Sequence, residues 1–265
     1  STTSTRRLID RQSTVSLPYS TTVPLLPLLS FTSSSLVKAS LAFPLSATVL
    51  AAAFAVLVDK RKLFDYYWVC EKVLLPSFSR IINLPLERTF WNLLILSHIP
   101  LRVLSLFLYY VKFRSSISSL RPSSLTSLAL FLFLVAGAFD LAFLAALTVV
   151  GERESGFLHM IFFISFILST VSFMAAHLLL TIRCGVKGRR EMISFRLRLF
   201  LFFLLIISVA VLTMAFSLFQ QYCVPHSYST FACLEYCTIG MILIYHSTAF
   251  LDLDFTLELV NIGTE

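Results

Sequence analysis

The chain has 265 residues, of which 57% are hydrophobic and only 13% are charged, and this composition excludes a soluble globular fold of that length. Most charges fall between apolar runs of about 20 residues, the length that a helix needs to cross a bilayer, so we expect an integral membrane protein. The net charge of +7 does not indicate nucleic-acid binding, because Lys and Arg lie at the ends of the runs and not along one amphipathic face.

The chain begins with a segment, residues 1–35, that is rich in Ser and Thr, contains several Pro and lacks a helical or strand period. We expect this segment to be a disordered cytosolic tail. The remainder, residues 36–260, is predicted to be one transmembrane domain, since no internal repeat or domain boundary is evident.

Six apolar runs predict an all-α, polytopic membrane fold with six transmembrane helices. The runs are 36–58, 91–111, 124–150, 156–182, 197–219 and 229–251, and the third and fourth are joined by a very tight turn. An even number of spans places both termini on one side, and because most Lys and Arg fall on that side, the positive-inside rule predicts cytosolic termini. The basic residues of the loop at 59–90, which this topology makes luminal, are the exception.

The loop at 59–90 is too apolar for a free linker, so we expect it to pack over the helices or to lie at the membrane interface. Cys70 in this loop and Cys223 both fall on the predicted luminal side, where a disulfide between them is plausible but is not settled by spacing. No metal-binding or nucleotide-binding motif occurs, so no metal or cofactor is expected.

Several ionisable residues lie inside the runs, where exposure to lipid is costly and a polar cavity is the usual setting. At a rise of about 1.5 Å per residue, His98 and Glu235 lie at one depth, and Arg102 and Asp140 lie together at a greater depth. His98 and Arg102 are four residues apart and therefore point the same way from the second span. Two level pairs are thus predicted.

The sixth span carries a second polar position on the same face, because Glu235 and His246 are separated by close to three helical turns. His159 is expected near the luminal mouth of the fourth span, and Asp252 near the cytosolic end of the sixth. His177 has no evident partner and is interpreted as a packing residue.

His98 and Glu235 form a candidate catalytic pair, because a histidine oriented by a carboxylate is the arrangement that a general base requires. Arg102 is suited to a phosphate, although a structural tie between helices is the favoured interpretation of its pair with Asp140. The candidate substrate-binding residues are Arg102, Asp140, His159, His246 and Asp252.

The same positions resemble the post-GPI-attachment-to-proteins factor two family. The last span matches at Tyr228, Phe231, Ala232, Leu234, Glu235, Tyr236, His246, Thr248, Ala249 and Asp252, preceded by Tyr222 and Cys223. The second span matches at Pro85, Arg88, Trp91, His98 and Arg102. The resemblance covers roughly residues 36–260.

The resemblance implies a multi-pass protein of the Golgi and endoplasmic reticulum membranes that takes part in lipid remodelling of glycosylphosphatidylinositol (GPI) anchors. The implied step is reacylation, in which a saturated chain is added, and it is needed for stable surface expression of GPI-anchored proteins. Expected partners are those proteins with their glycolipid, membrane lipids and other GPI-remodelling proteins.

The motifs leave open whether the chain is an acyltransferase or an accessory subunit of one. A non-catalytic factor that binds or sorts the GPI lipid is the main alternative. A transporter is less favoured, because the sequence shows no inverted repeat.

Overall fold

The computed structural model describes residues 27–64, 66–118, 123–254 and 256–260. Within them, six helices are long and apolar enough to cross a membrane, which confirms the predicted all-α fold. The long helices are α1 Ser33–Leu57, α4 Pro85–Ser118, α5 Ser124–Val149, α6 Glu152–Cys184, α7 Arg189–Tyr222 and α8 Ser227–Ser247. The short elements are β1 Pro27–Thr32, α2 Lys60–Phe64, β2 Tyr67–Trp68, β3 Glu71–Lys72, α3 Phe78–Ile81, α9 Ala249–Asp252 and β4 Thr256–Val260.

The predicted tail is only partly covered, because residues 1–26 lie outside the described residues. Residues 27–32 form β1, which pairs with β4 in a two-stranded sheet. Helix α1 then begins at Ser33, where the Thr32 side chain accepts a hydrogen bond from the Ser35 amide and so satisfies one of the free N–H groups of the first turn.

The helices extend past most ends of the apolar runs. The clearest case is α4, which covers 85–118 where the sequence predicts 91–111. Polar residues at its two ends lower the hydropathy without breaking the helix. Pro100 lies inside α4 and Pro44 inside α1. Transmembrane helices tolerate an internal Pro when neighbouring groups form hydrogen bonds with the backbone carbonyls that the Pro leaves unpaired.

The long helices pack mainly in pairs, with α1 along α4, α5 along α6, and α7 along α8. The turn between α5 and α6 is as tight as predicted, since α5 ends at Val149 and α6 begins at Glu152. We call the end of the bundle that carries residues 58–84, this turn and residues 223–226 the loop end, and the opposite end the far end.

The segment 58–84 is folded against the loop end. Strands β2 and β3 form an antiparallel hairpin, and the Trp68 ring of that hairpin packs edge-on against Tyr228 of α8 at 4.8 Å between ring centroids. A disulfide joins Cys70 of the hairpin to Cys223 at the end of α7, with Cα atoms 5.6 Å apart. The segment is therefore tied to two helices by both covalent and packing contacts.

Removing the disulfide should weaken the loop end, because a cross-link restricts the unfolded chain. We expect Cys70→Ser to destabilise the protein by about 2–4 kcal/mol, measured as a lower Tm of the purified protein in detergent. Cys184→Ser, which removes a free thiol, is the matched control. An unchanged Tm for Cys70→Ser would show that packing alone holds the hairpin.

Candidate functional site

A cavity opens among α1, α4, α5, α6 and α8, and we call it the loop-end cavity. It contains about 1050 Å³ of space outside the protein atoms, including the part that opens to the exterior. Its walls are mostly apolar, and they include Ile95, Leu144, Phe163, Phe166, Ile239 and Leu243. Six of the seven predicted site residues line it, namely His98, Arg102, Asp140, His159, Glu235 and His246.

Arg102 and Asp140 form the level pair predicted from their depths. Nη2 of Arg102 donates to Oδ2 of Asp140 at 3.1 Å, and the Thr170 hydroxyl donates to the other carboxylate oxygen. The Asp140 side chain is 2% exposed and that of Arg102 is 11% exposed. The pair connects α4 with α5, while Thr170 brings in α6, so the cavity has a charge-balanced polar group in its wall.

Among the described residues, Glu235 makes its hydrogen bonds to a backbone segment and makes none to His98, its predicted partner. Its carboxylate accepts hydrogen bonds from the backbone amides of Phe78 at 2.7 Å and Ser79 at 3.2 Å, at the start of α3. The depth estimate gave the position of Glu235 along its helix. It did not give the hydrogen-bond partner of Glu235, because the segment that precedes α4 folds back over the bundle. Glu235 therefore helps to hold α3 in place.

Two tyrosines of α8 hold the same segment. The Tyr228 hydroxyl accepts from the Ser77 amide at 3.2 Å and donates to the Ser77 hydroxyl at 3.1 Å, and the Tyr236 hydroxyl donates to the Pro76 carbonyl at 2.9 Å. Phe78 and Ser79 themselves line the cavity. Residues 76–79 are thus fixed by three side chains of a single helix, and the last two of them form part of the cavity wall.

The histidines of the cavity differ in their partners. Nδ1 of His159 donates to the Val150 carbonyl at 2.8 Å, so this ring is held at the α5–α6 turn. Nδ1 of His98 and Nε2 of His246 are buried, and neither has a hydrogen-bond partner in the described part of the chain. Both nitrogens are unsatisfied, enclosed polar atoms of residues that line the cavity.

Asp252, the seventh predicted site residue, lies elsewhere, in a buried network at the far end. Arg198 of α7 binds its carboxylate through both terminal nitrogens, with Nη1 to Oδ2 at 2.6 Å and Nη2 to Oδ1 at 3.0 Å. The Tyr109 hydroxyl donates to the same carboxylate at 2.7 Å. Asp252 therefore connects α4, α7 and α9.

The sequence did not identify Arg198 as a member of a buried polar network, and it gave no partner for His177. The Arg198 side chain is 2% exposed, and it also donates to Nε2 of His177 at 3.1 Å and to the Thr248 hydroxyl at 2.7 Å. Arg198 is the single charged residue of the predicted run 197–219, and that signal was hidden because it stands at the second position of the run.

Among the described residues, no group of three or more His, Cys, Asp and Glu side chains is arranged to hold a metal ion. The loop-end cavity combines imidazole side chains and a guanidinium with a large apolar surface. Such a surface with a few convergent polar groups is typical of small-molecule sites.

Residues 32–255 match the family model described as the Frag1/DRAM/Sfk1/Cwh43P N-terminal domain. The post-GPI attachment to proteins factor 2-like protein of Drosophila melanogaster is 28% identical to the chain over 184 residues, which are 68% of the chain and 57% of that protein. The chain thus matches little more than half the length of this relative. No solved structure is significantly similar to the chain.

Breaking the far-end network should be costly, because it leaves a buried charge without its partner. We expect Arg198→Ala to lower stability by about 3–5 kcal/mol, seen as a large drop of Tm in detergent. Arg196→Ala, an exposed arginine two positions away on the same helix, should change Tm little. Equal effects of the two substitutions would contradict a structural role for the buried pair.

Loss of the Glu235 carboxylate should release α3 from the bundle. With Glu235→Ala, the amides of Phe78 and Ser79 lose their hydrogen-bond acceptor, so we expect them to exchange with deuterium much faster, while the core of α5 stays protected. Cys233→Ala, an exposed position on the same helix, is the control. Unchanged exchange at residues 78 and 79 would show that other contacts hold the wall.

Proposed function

The chain belongs to the Frag1/DRAM/Sfk1/Cwh43P family, and from this premise we propose that it acts in the maturation of GPI-anchored proteins. The match confirms the resemblance predicted from the polar residues of the second and sixth spans. The proposal is supported by the name of the Drosophila relative, which refers to a factor acting after GPI attachment to proteins.

The observation that carries the proposal is the composition of the loop-end cavity. Apolar walls suit acyl chains, while the Arg102 guanidinium offers donors for ester and phosphate oxygens, and His98 and His246 add polar side chains to the same lining. A GPI anchor presents that combination, since its lipid has hydrocarbon chains, ester oxygens and a phosphate. The cavity is accordingly proposed to bind the anchor lipid.

The finer step proposed is fatty-acid remodelling at its reacylation stage, in Golgi and endoplasmic reticulum membranes. In this proposal both termini are cytosolic and the loop end faces the lumen, the side on which anchored proteins lie. Partners would be the anchored proteins with their glycolipid, surrounding lipids and other remodelling proteins.

Of the two roles left open by the sequence, the geometry favours binding of the lipid over catalysis by a His98–Glu235 pair. The carboxylate that would orient His98 is engaged with two backbone amides instead. The chain then acts as the lipid-binding factor, or accessory subunit, of the acyl-transfer step.

Acyl transfer by the chain itself is a second candidate, favoured by one observation. His98 and His246 each keep a ring nitrogen without a partner and line the same cavity. Either imidazole could accept the proton of a glycerol hydroxyl as that oxygen attacks an activated acyl group, and the donor's leaving group would then take the proton.

The proposal is tested in cells that lack this protein and are complemented with variants, by mass spectrometry of their GPI-anchor lipids. We expect Arg102→Gln and His246→Ala to give a protein that reaches its membrane but leaves the anchors without the added saturated chain. Arg196→Gln and Cys233→Ala are the matched controls. Normal anchor lipids with both cavity variants would rule the proposal out.

The two roles are separated with purified protein, a GPI lipid that lacks one chain, and an acyl thioester. Binding without chain transfer would support the lipid-binding role. Transfer that His98→Ala or His246→Ala abolishes would support the second candidate and overturn the first.

A further inference from the structure

A second, much smaller pocket lies next to the loop-end cavity, toward the far end, and we call it the far-end pocket. Its volume is about 40 Å³, counted as the space that the centre of a water molecule can reach. One water needs roughly 10–15 Å³ on this measure, so the pocket has room for a few waters and for no hydrocarbon chain. Arg102 and His246 line both spaces, whereas Tyr109, His177 and Arg198 of the far-end network line the pocket alone.

The protonation of His177 follows from its partner Arg198. Nη1 of Arg198 lies 3.1 Å from Nε2 of His177, and because a guanidinium donates and never accepts, Nε2 must be the acceptor. The His177 ring is therefore neutral and carries its single N–H at Nδ1. That N–H donates to the Tyr245 hydroxyl oxygen at 3.3 Å.

The Tyr245 hydroxyl consequently accepts from His177 and keeps its own hydrogen to donate. Among the described residues, the hydroxyl makes no second hydrogen bond, so none of them accepts this hydrogen. Tyr245 is only 1% exposed, and it lines the far-end pocket. Because a buried O–H without an acceptor carries a free-energy penalty, an acceptor inside the pocket would be stabilising.

Polar groups of two other helices line the same pocket. Asp140 takes up Nη2 of Arg102, and within the described part of the chain the Nε and Nη1 groups make no hydrogen bond. The Ser105 hydroxyl donates to the Leu101 carbonyl at 2.9 Å, which leaves the Ser105 oxygen able to accept. Ser40 of α1 adds a second hydroxyl oxygen. The lining thus offers both donors and acceptors.

From this arrangement we infer that the far-end pocket is a binding site for a small cluster of ordered water molecules. Water both accepts and donates, so the cluster takes the Tyr245 hydrogen and an Arg102 N–H and donates to the Ser40 and Ser105 oxygens. A buried water makes about three hydrogen bonds, and α1, α4 and α8 supply them here. The inference does not depend on the proposed function.

Neither an ion nor an apolar group fits the pocket as well as water. Arg102 is already neutralised by Asp140, and Arg198 by Asp252, so the charge of a lone ion would stay uncompensated inside the bundle. An apolar occupant would leave the Tyr245 hydrogen without an acceptor. Water supplies the acceptor and adds no charge.

The cluster connects the two ion pairs without forming a proton path through the far-end network. Arg198 donates to Thr248, to His177, to Tyr109 and twice to Asp252. All N–H groups of its guanidinium are thus engaged, and a guanidinium cannot accept a proton from its neighbours. The waters therefore bridge helices and are not part of a proton channel through Arg198.

The test is hydroxyl-radical footprinting of the purified full chain in lipid nanodiscs, with a synchrotron X-ray pulse and readout by mass spectrometry. The pulse splits water, and radicals formed in a bound water oxidise the side chains beside it. With a radical scavenger in the buffer, which removes radicals of the bulk water, we expect Tyr245 to be oxidised. Phe133, which is 0% exposed and lines neither space, should stay unmodified. Tyr245 that stays as unmodified as Phe133, or that the scavenger protects, would overturn the inference.

Gly137→Val should close the pocket and abolish the oxidation of Tyr245. A Cβ atom at residue 137 would lie 2.7 Å from Cδ1 of Leu106 and 3.2 Å from Cδ2 of Phe173, both of which line the pocket, so a side chain here pushes these groups into it. Gly240→Val of α8 is the matched control, since a Cβ there meets no atom within 4 Å, and Tyr245 should be oxidised as in the wild type.

Ser105→Leu fills the same pocket from α4 and serves if the Gly137 variant does not fold. It should also abolish the oxidation of Tyr245. Oxidation of Tyr245 that persists in a folded variant with the pocket filled would overturn the inference.

Discussion

The structure depends on the rule that a charged side chain inside a membrane bundle must be given partners by the protein, because hydrocarbon supplies none. Two ion pairs satisfy this rule at different depths. Arg102 with Asp140 joins α4 to α5, and Arg198 with Asp252 joins α7 to α9. Since each pair must stay closed, each fixes the spacing of its helices.

At the loop end, a buried carboxylate is satisfied by backbone amides and not by an ion pair. Glu235 lies within α8, and its carboxylate is satisfied by backbone amides of a segment that precedes α4 in the chain. Those amides are in turn the free donors that begin a short helix. The Glu235 carboxylate and these two amides thus satisfy each other's hydrogen-bonding groups. The two bonds offset part of the free-energy cost of burying the carboxylate, and they hold the cavity wall in place.

Much of this arrangement could be predicted from the sequence. The six helices follow from run length, and the Arg102–Asp140 pair follows from the fixed rise per residue, because helix depth is regular. The partner of Glu235 could not be predicted, since a backbone amide carries no sequence signature and a loop has no regular depth. Arg198 was missed for a related reason. Near the end of an apolar run, the sequence does not distinguish an arginine whose side chain reaches water from one whose side chain is buried in the bundle. His177 could be placed only once Arg198 was known.

The disulfide between Cys70 and Cys223 joins residues 153 positions apart in the sequence. All of α4, α5, α6 and α7 must be synthesised and inserted before the second cysteine is available. The Cys70–Cys223 bond can therefore form only after these four helices have been made, and it then fixes the hairpin to the end of the last of them.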